Sequence, residues 1–469
     1  MDSGQVISID ALPDDVLLEI FNSHGYDYTY QEEREKVWQK LVHVCRRWRC
    51  IVLGSPRRLN LQLVCTTRTP VRDMLDVWPA FPLIIESSGH PRGSMDNIIV
   101  ALGCTDRVHQ ISLRIVQSFS LDILSAMQHP FPELTRLVLS LDDETVPVFP
   151  DSFLGGSAPR LESLLLYDIP FPGLPKLLSS ATHLYTLQLE NIPHSGYFSP
   201  NAMVAVLSTL TSLQSLTLVF ESPRSCPDQA SRLPPPKTRS VLPVLTYFEF
   251  KGVSEYLDDL VACIDAPQLN KLEITFFNDI VFDTPQLVRF VSHTPRSKAL
   301  EKAYINLRDR SAWVSFFSQT SGNVMVEILC KGMDWQVSSL EQVCTSCLPP
   351  LSILEDLYFH EDSHSQPDWN DSIENGQWLG LFRSFMAVKN LYLSEKFASR
   401  IALSLQELVE GGTTDVLPAL QNIFLRGLES SGSVPEGIGQ FVAARQVANH
   451  PIVISPWTDL EGGMVWSDY

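Results

Sequence analysis

Three stretches carry residues whose types and spacing suit chemistry. His360-Glu361-Asp362-Ser363-His364 reads H-E-x-x-H. On a helix that spacing puts two imidazoles one turn apart on one face, where they hold zinc beside a glutamate base. Here the motif starts at the end of an apolar strand block and runs into Ser365, Gln366 and Pro367. A loop does not hold two histidines at helical spacing, so a zinc hydrolase is the remote reading and no metal ligand is assigned. Cys344 and Cys347 form a lone C-x-x-C. A structural zinc site wants a second pair of ligands, and none follows nearby, so both cysteines are expected to pack in a helix. Asn370-Asp371-Ser372 is a formal glycosylation sequon that means little without a secretory signal. No phosphate-cradling glycine loop and no nucleophile elbow is present. The residues assign no catalytic group and no cofactor, which directs attention to binding.

Composition narrows the class further. A chain of 469 residues with 44% hydrophobic and 19% charged residues has the make-up of a folded globular protein with room for two or more units. The net charge of −19 argues against general nucleic-acid binding, which needs a basic footprint. No apolar run reaches the roughly 18–20 residues that span a bilayer, and the opening residues have neither a basic start nor a long apolar stretch. Nine scattered cysteines do not suggest a disulfide framework. The expected location is cytoplasmic and/or nuclear, with reduced thiols.

The elements begin with Ile9 to Leu63. Leu12-Pro13 opens a helix, with Asp14 and Asp15 at the positive end of its dipole. Leu12, Val16, Leu17, Ile20 and Phe21 recur at helical spacing as one apolar face, and Leu18 lies on another. A polar insert, Asn22 to Glu35, follows. A second helix is expected over about 32–52, with Val37, Leu41, Val44, Trp48 and Ile51 as a stripe that Trp38, Val42, Cys45 and Val52 widen. So small a piece has little interior to hide this surface, and surplus apolar surface on a small module marks a protein-binding face.

These residues resemble a known family. LPDDVLLEIF followed by LVHVCRRWR is similar to the F-box, with Leu12-Pro13, Ile20-Phe21, Val44-Cys45-Arg46 and Trp48-Arg49 at its signature positions. The run on to GSPRRLNLQLVC resembles the expanded F-box families of mushroom-forming fungi. The insert is longer and more polar than the usual link between the motif halves. The resemblance implies an all-helical module that docks on a Skp-type adaptor, within a complex built on a cullin scaffold. Leu12, Pro13, Val16, Ile20, Phe21, Val44, Cys45 and Trp48 are the residues expected to dock on the adaptor or to form the small core behind it.

A repeat occupies most of the rest. The block apolar-x-x-apolar-x-apolar begins at Val108, Leu134, Leu161, Leu184, Leu213, Leu245, Leu269, Leu300, Leu354, Val388 and Leu420, with a weaker copy at Met325. Successive copies lie 23 to 34 residues apart, within or near the range of leucine-rich repeats. The last two apolar positions of a block point to the same side of a short strand. One strand cannot bury that side alone, whereas stacked copies build a continuous core. Helices are expected between blocks at 174–180, 203–210, 256–264, 286–293, 313–319, 340–347, 378–386 and 401–410.

The expected fold is therefore α/β: a helical F-box, then an irregular leucine-rich-repeat solenoid with parallel strands on the concave side and helices on the convex side. The expected divisions are 1–64 F-box, 65–94 connector, 95–433 solenoid, 434–455 cap and 456–469 an acidic aromatic tail.

Each block also places one residue, between its last two apolar positions, on the concave face. In the last five copies that residue is Tyr304, Leu329, Tyr358, Tyr392 and Phe424. Strands lie about 4.8 Å apart, so these side chains are expected to stack as a ladder and to anchor a target protein. The tail, with Trp457, Trp466 and Tyr469, is a candidate to fold back over it. The expected function is that of a non-catalytic substrate-recognition subunit of an SCF-type cullin–RING ubiquitin ligase. The alternative is a scaffold that acts without ubiquitin transfer.

Overall fold

The computed structural model describes residues 9–26, 31–87, 94–115, 120–141, 147–227, 238–277, 284–294, 300–317, 322–330, 333–348, 351, 353–360, 375–411, 416–428 and 433–457. Within it the chain forms two compact units, Met1–Thr186 and Leu187–Tyr469. Both are mixed α/β and built on parallel strands, as a leucine-rich-repeat-like solenoid requires.

The first unit opens with three helices, α1 (Asp14–Tyr26), α2 (Gln31–Val44) and α3 (Arg46–Gly54). The single second helix expected over 32–52 is broken at Cys45. That residue is extended (φ −156°, ψ 170°), and its Sγ accepts the N–H of Trp48 at 3.4 Å, so it caps α3. The polar insert is mostly helical, because α1 continues to Tyr26 and α2 begins at Gln31. The strands and helices that follow are β1 (Leu63–Cys65), α4 (Val71–Val77), β2 (Leu83–Ser87), α5 (Met95–Leu102), β3 (Val108–Ile115), α6 (Ser120–Ala126), β4 (Arg136–Leu141), β5 (Ser163–Tyr167) and α7 (Leu174–Leu178). β1 to β5 pair in chain order and all in parallel. Regular sheet therefore starts at Leu63, ahead of the first repeat block. Parallel neighbours need a crossover; α4, α5 and α6 lie in the first three, and a short 3-10 segment, Phe153–Gly156, lies in the one between β4 and β5. Leu161, Leu164 and Leu166 show the block at work: all three are buried on one side of the sheet.

The second unit runs β6 (Thr186–Ile192), α8 (Pro200–Leu207), β7 (Ser215–Phe220), β8 (Ser240–Val241), β9 (Tyr247–Gly252), α9 (Ser254–Val261), β10 (Ile264–Asp265), β11 (Lys271–Phe277) and α10 (Pro285–His293). It continues with β12 (Lys302–Leu307), β13 (Ser311–Phe317), β14 (Asn323–Leu329), α11 (Met333–Gln342), β15 (Asp356–Phe359), α12 (Asn375–Arg383), β16 (Asn390–Leu393), α13 (Glu395–Gly411), β17 (Asn422–Leu425), α14 (Glu436–Val447) and β18 (Val453–Pro456). Spatial order is β6-β7-β9-β11-β14-β13-β12-β15-β16-β17-β18, with β8 and β10 paired apart. Every repeat block is a strand. The sheet is not uniformly parallel, however. β13 runs antiparallel to both β12 and β14, while β14 lies parallel to β11 and β12 parallel to β15.

That reversal corrects the helix expected over 313–319. Trp313, Val314 and Phe316 are buried in β13, and an apolar run of this length does not by periodicity distinguish strand from helix. Aromatic and β-branched side chains then favour the strand. The helices expected over 174–180, 203–210, 256–264, 286–293 and 378–386 are present within about three positions, whereas those expected over 340–347 and 401–410 begin earlier, at Met333 and Glu395. Cys344 is buried in a single π-helical turn, Val343–Cys347, that ends α11. Among the described residues no helix is long and apolar enough to cross a membrane.

Candidate protein-interaction surfaces

The first surface lies on α1–α3. The apolar face expected for α1 divides in two. Leu17, Leu18 and Phe21 are buried, whereas Val16 and Ile20 are 42% and 43% exposed. Leu18, placed on a separate face by its spacing, belongs to the core. Phe21 packs on Trp48 with ring centroids 4.7 Å apart. Trp38 and Val42 turn α2 inward, and Trp38 meets Trp78 and Phe81 edge-on at 5.0 and 5.7 Å. Val44 is 59% exposed, Pro13 and Cys45 are exposed, and Leu12 and Trp48 are half-buried.

Arg47 brings the start of α1 beside the α2–α3 junction. Its guanidinium donates to the Leu12 carbonyl at 2.6 Å and to Asp14 Oδ1 at 2.6 and 3.0 Å. Arg58 donates to Glu19 and lies 3.6 Å from Asp15. Seven of the eight residues expected at the adaptor fall into two sets. Phe21, with Trp48 packed on it, holds the helices together. Pro13, Val16, Ile20, Val44 and Cys45 face outward. The eighth, Leu12, is half-buried and is held through its carbonyl by Arg47. The Arg47–Leu12 clamp was not read from the sequence, since nothing in the spacing pairs residues 35 apart.

The second surface is the sheet face of the second unit that carries Tyr304. Register places Tyr304 opposite Tyr358, Tyr358 opposite Tyr392 and Tyr392 opposite Phe424. Their rings stack at 4.4, 4.1 and 4.5 Å and within 10° of parallel. An in-register parallel sheet produces such a stack, because its strand spacing is close to the thickness of stacked rings. Leu329 is not part of it. It sits on β14 opposite Phe277 and Ser311, and β13 separates it from Tyr304. The ladder therefore has four rungs where five were expected.

The tyrosines are less accessible than the spacing alone implied, with Tyr358 2% and Tyr392 7% exposed. Burial first, then the neighbouring phenol and Asp356, pushes the Tyr358 hydroxyl above its usual range. Burial and Asp356 do the same to Tyr304. Beside the rings runs an amide row, in which Asn390 donates to Asp356 at 2.6 Å and Asn422 to Asn390 at 2.8 Å.

Part of the cover over the ladder is Trp457, the second residue of the expected tail. Its indole lies 6.1 Å from Tyr358, 5.8 Å from Tyr392 and 6.3 Å from His360, with the Arg426 guanidinium 6.0 Å from its ring. Trp466 and Tyr469 fall outside the described residues. So do Glu361 to His364, leaving of the H-E-x-x-H stretch only His360, which follows β15 and lies beside Trp457. The sequon at Asn370 lies there too. Among the described residues no group of three His, Cys, Asp or Glu side chains is placed to hold a metal ion.

Further along the same face, the Tyr247 hydroxyl is shared between Glu249 Oε2 at 2.9 Å and Glu273 Oε2 at 2.7 Å. Thr217 donates to the same Glu249 oxygen at 3.3 Å, and Lys271 pairs with Glu273 at 2.8 Å. Burial, with Glu273 and Glu190 nearby, raises the Glu249 carboxyl above its ordinary range, against the pull of Tyr247 and Thr217. Its signal was present in the sequence: Glu249 and Glu273 occupy the same position in consecutive repeat blocks.

No family model matches the chain, and no curated protein matches it. Among solved structures, the chain is similar to the leucine-rich repeat-containing protein LegL7 from Legionella pneumophila. The identity is 11% and the TM-score 0.27, over 76% of this chain and 95% of that one.

Proposed function

We propose that this chain is the substrate-recognition subunit of an SCF-type cullin–RING ubiquitin ligase. The helices α1–α3 would dock on a Skp-type adaptor, and the sheet face of the second unit would hold the target protein. The observation that carries this reading is the division of one short motif between core and surface. Of the residues expected to dock on the adaptor or form the core behind it, Phe21 and Trp48 pack on each other, while Val16, Ile20 and Val44 are left in solvent. A module that held its helices together for stability alone gains nothing from three large aliphatic side chains exposed beside a packed core. The contribution to catalysis is proximity: the receptor holds a target near activated ubiquitin and supplies no acid, base or nucleophile.

The test is co-purification of the full chain with the Skp-type adaptor of its own organism, followed by ubiquitylation of captured targets in a reconstituted complex. Adaptor capture together with target modification is the expected result. Capture without modification under any condition would favour the scaffold. Absence of capture by a folded chain would remove the ligase reading.

A further inference from the structure

We propose that β18 and Trp457 are a displaceable, built-in occupant of a peptide groove on the second unit. The partner that takes their place is an extended segment carrying an aromatic side chain. This deepens the target-face half of the function proposed above and rests on it.

The argument begins with how β18 is held. It pairs with β17 in parallel, Asn422 opposite Val453 through Leu425 opposite Pro456. The main chain is pinned at both ends, with Val453 N–H donating to Gln421 O at 2.9 Å and Trp457 N–H to Leu425 O at 2.8 Å. Its side chains bury little: Val453 is 58% exposed, Ile454 and Ser455 are half-buried, and Pro456 is exposed. A strand with so little apolar burial is held by its backbone ladder, and each such bond contributes only about 1 kcal/mol net. Pro456 also has no N–H to offer, which is typical of strands at a sheet edge.

Trp457 is the exception. It reaches past Phe424 to lie against Tyr392 and Tyr358, under the Arg426 guanidinium. With β18 lifted away, the edge of β17 presents free main-chain groups, and beside it opens a slot walled by two stacked tyrosines and Arg426. An edge plus a side-chain slot is the arrangement that takes up an added strand: backbone bonds supply affinity and the slot supplies selectivity. Arg426 at the slot selects an aromatic ring, to which it can make a cation–π contact, over a cationic side chain. The chain's own segment shows the pattern accepted: extended backbone, with an aromatic residue four positions after the one paired to Asn422.

The experiment uses the full chain and a fluorescein-labelled synthetic peptide copying residues 450–458, with fluorescence anisotropy as the readout. Wild type should bind it weakly. Trp457→Ala, which empties the slot, should bind it at least ~10-fold tighter. Adding Tyr358→Phe should keep that gain, because the stacking ring remains. A peptide carrying alanine in place of its tryptophan should lose the gain. Thermal melts of each variant confirm that it is folded. Equal binding by wild type and Trp457→Ala, or binding by neither, would overturn the proposal. Adaptor capture is scored separately on the first unit. Capture without the peptide gain removes this inference alone, and the gain without capture removes the ligase reading while leaving this one standing.

Discussion

Replacing Phe21 and replacing Ile20 should have opposite consequences, although the two residues are adjacent and both match the same motif. Phe21 is 4% exposed and packed against Trp48, the two rings tilted at 57°. Phe21→Ala removes a ring from a packed interior, which costs about 3–5 kcal/mol. In a helical piece this small, that is most of its local stability. Ile20, Val16 and Val44 are 43%, 42% and 59% exposed. Truncating a half-exposed aliphatic residue costs the folded chain under about 1 kcal/mol.

Covering those three on a partner is a different matter. Full burial of such a side chain is worth about 1.5–3 kcal/mol, so burying the remaining half of each gives about 1 kcal/mol apiece. The triple variant Val16→Ala/Ile20→Ala/Val44→Ala should therefore lose roughly 2–3 kcal/mol of adaptor affinity, or about 30- to 150-fold in Kd, with little change in melting. Titration against immobilised adaptor gives the first quantity, and hydrogen exchange of α1–α3 gives the second. A triple variant that binds like wild type, or one whose helices exchange as fast as those of Phe21→Ala, would refute the division into inner and outer residues.

Other outcomes follow from the same geometry. Arg47→Ala loses its bonds to Leu12 O and Asp14, and should lower stability by about 1–2 kcal/mol in denaturant titration, more than the exposed Arg47–Asp14 ion pair is worth. Glu249→Gln should relieve a pH dependence. Because the Glu249 carboxyl is raised above its ordinary value, its contribution is fully present below that value and fades as pH rises through the raised one. The variant should therefore gain on wild type toward neutral pH and show no advantage near pH 4, as read by melting across that range. Tyr392→Ala removes the middle of the stack and a buried ring, so its denaturant midpoint should fall by an amount equivalent to about 3–5 kcal/mol. Leu329→Ala, off the ladder, should leave any target capture that depends on Tyr304 unchanged. Hydrogen exchange should find the amides of 453–457 opening faster than those of β16.

Much of the fold was legible because the repeat block couples two requirements in six residues. Leu161, Leu164 and Leu166 must share a side, and only a strand with its entering turn allows that. The ladder followed from the same register argument, since Tyr304, Tyr358, Tyr392 and Phe424 occupy one block position. Leu329 occupies it as well, yet it was misplaced, because chain order equals spatial order only while every connection is a parallel crossover. Trp313 to Phe317 reverse direction, and no periodicity in so short an apolar run announces that. On the first surface, the spacing of Leu12 through Phe21 identified apolar residues without saying which were inward. At 100° per residue, Val16 and Leu17 both lie on a plausible face, and the packing of Trp48 on Phe21 decides between them. Cys45 as a cap was hidden for another reason. A thiol accepting a backbone N–H is a weak version of what serine or aspartate does, so no sequence signal marked the break.

The excursion through β12, β13 and β14 has a consequence for how such a chain can be lengthened or shortened. β14 joins β11 in parallel and β12 joins β15 in parallel, with β13 reversed between them. A three-stranded meander begins and ends with strands of the same direction. Taking out all three would leave β11 and β15 with matched polarity, able to meet as ordinary neighbours. Taking out β12 or β14 alone would confront strands of opposite sense, and taking out β13 alone would leave β12 and β14 as parallel neighbours without the crossover they need. The meander is thus a cassette within an otherwise parallel array of described strands. By polarity it can enter or leave whole, as a unit of three strands.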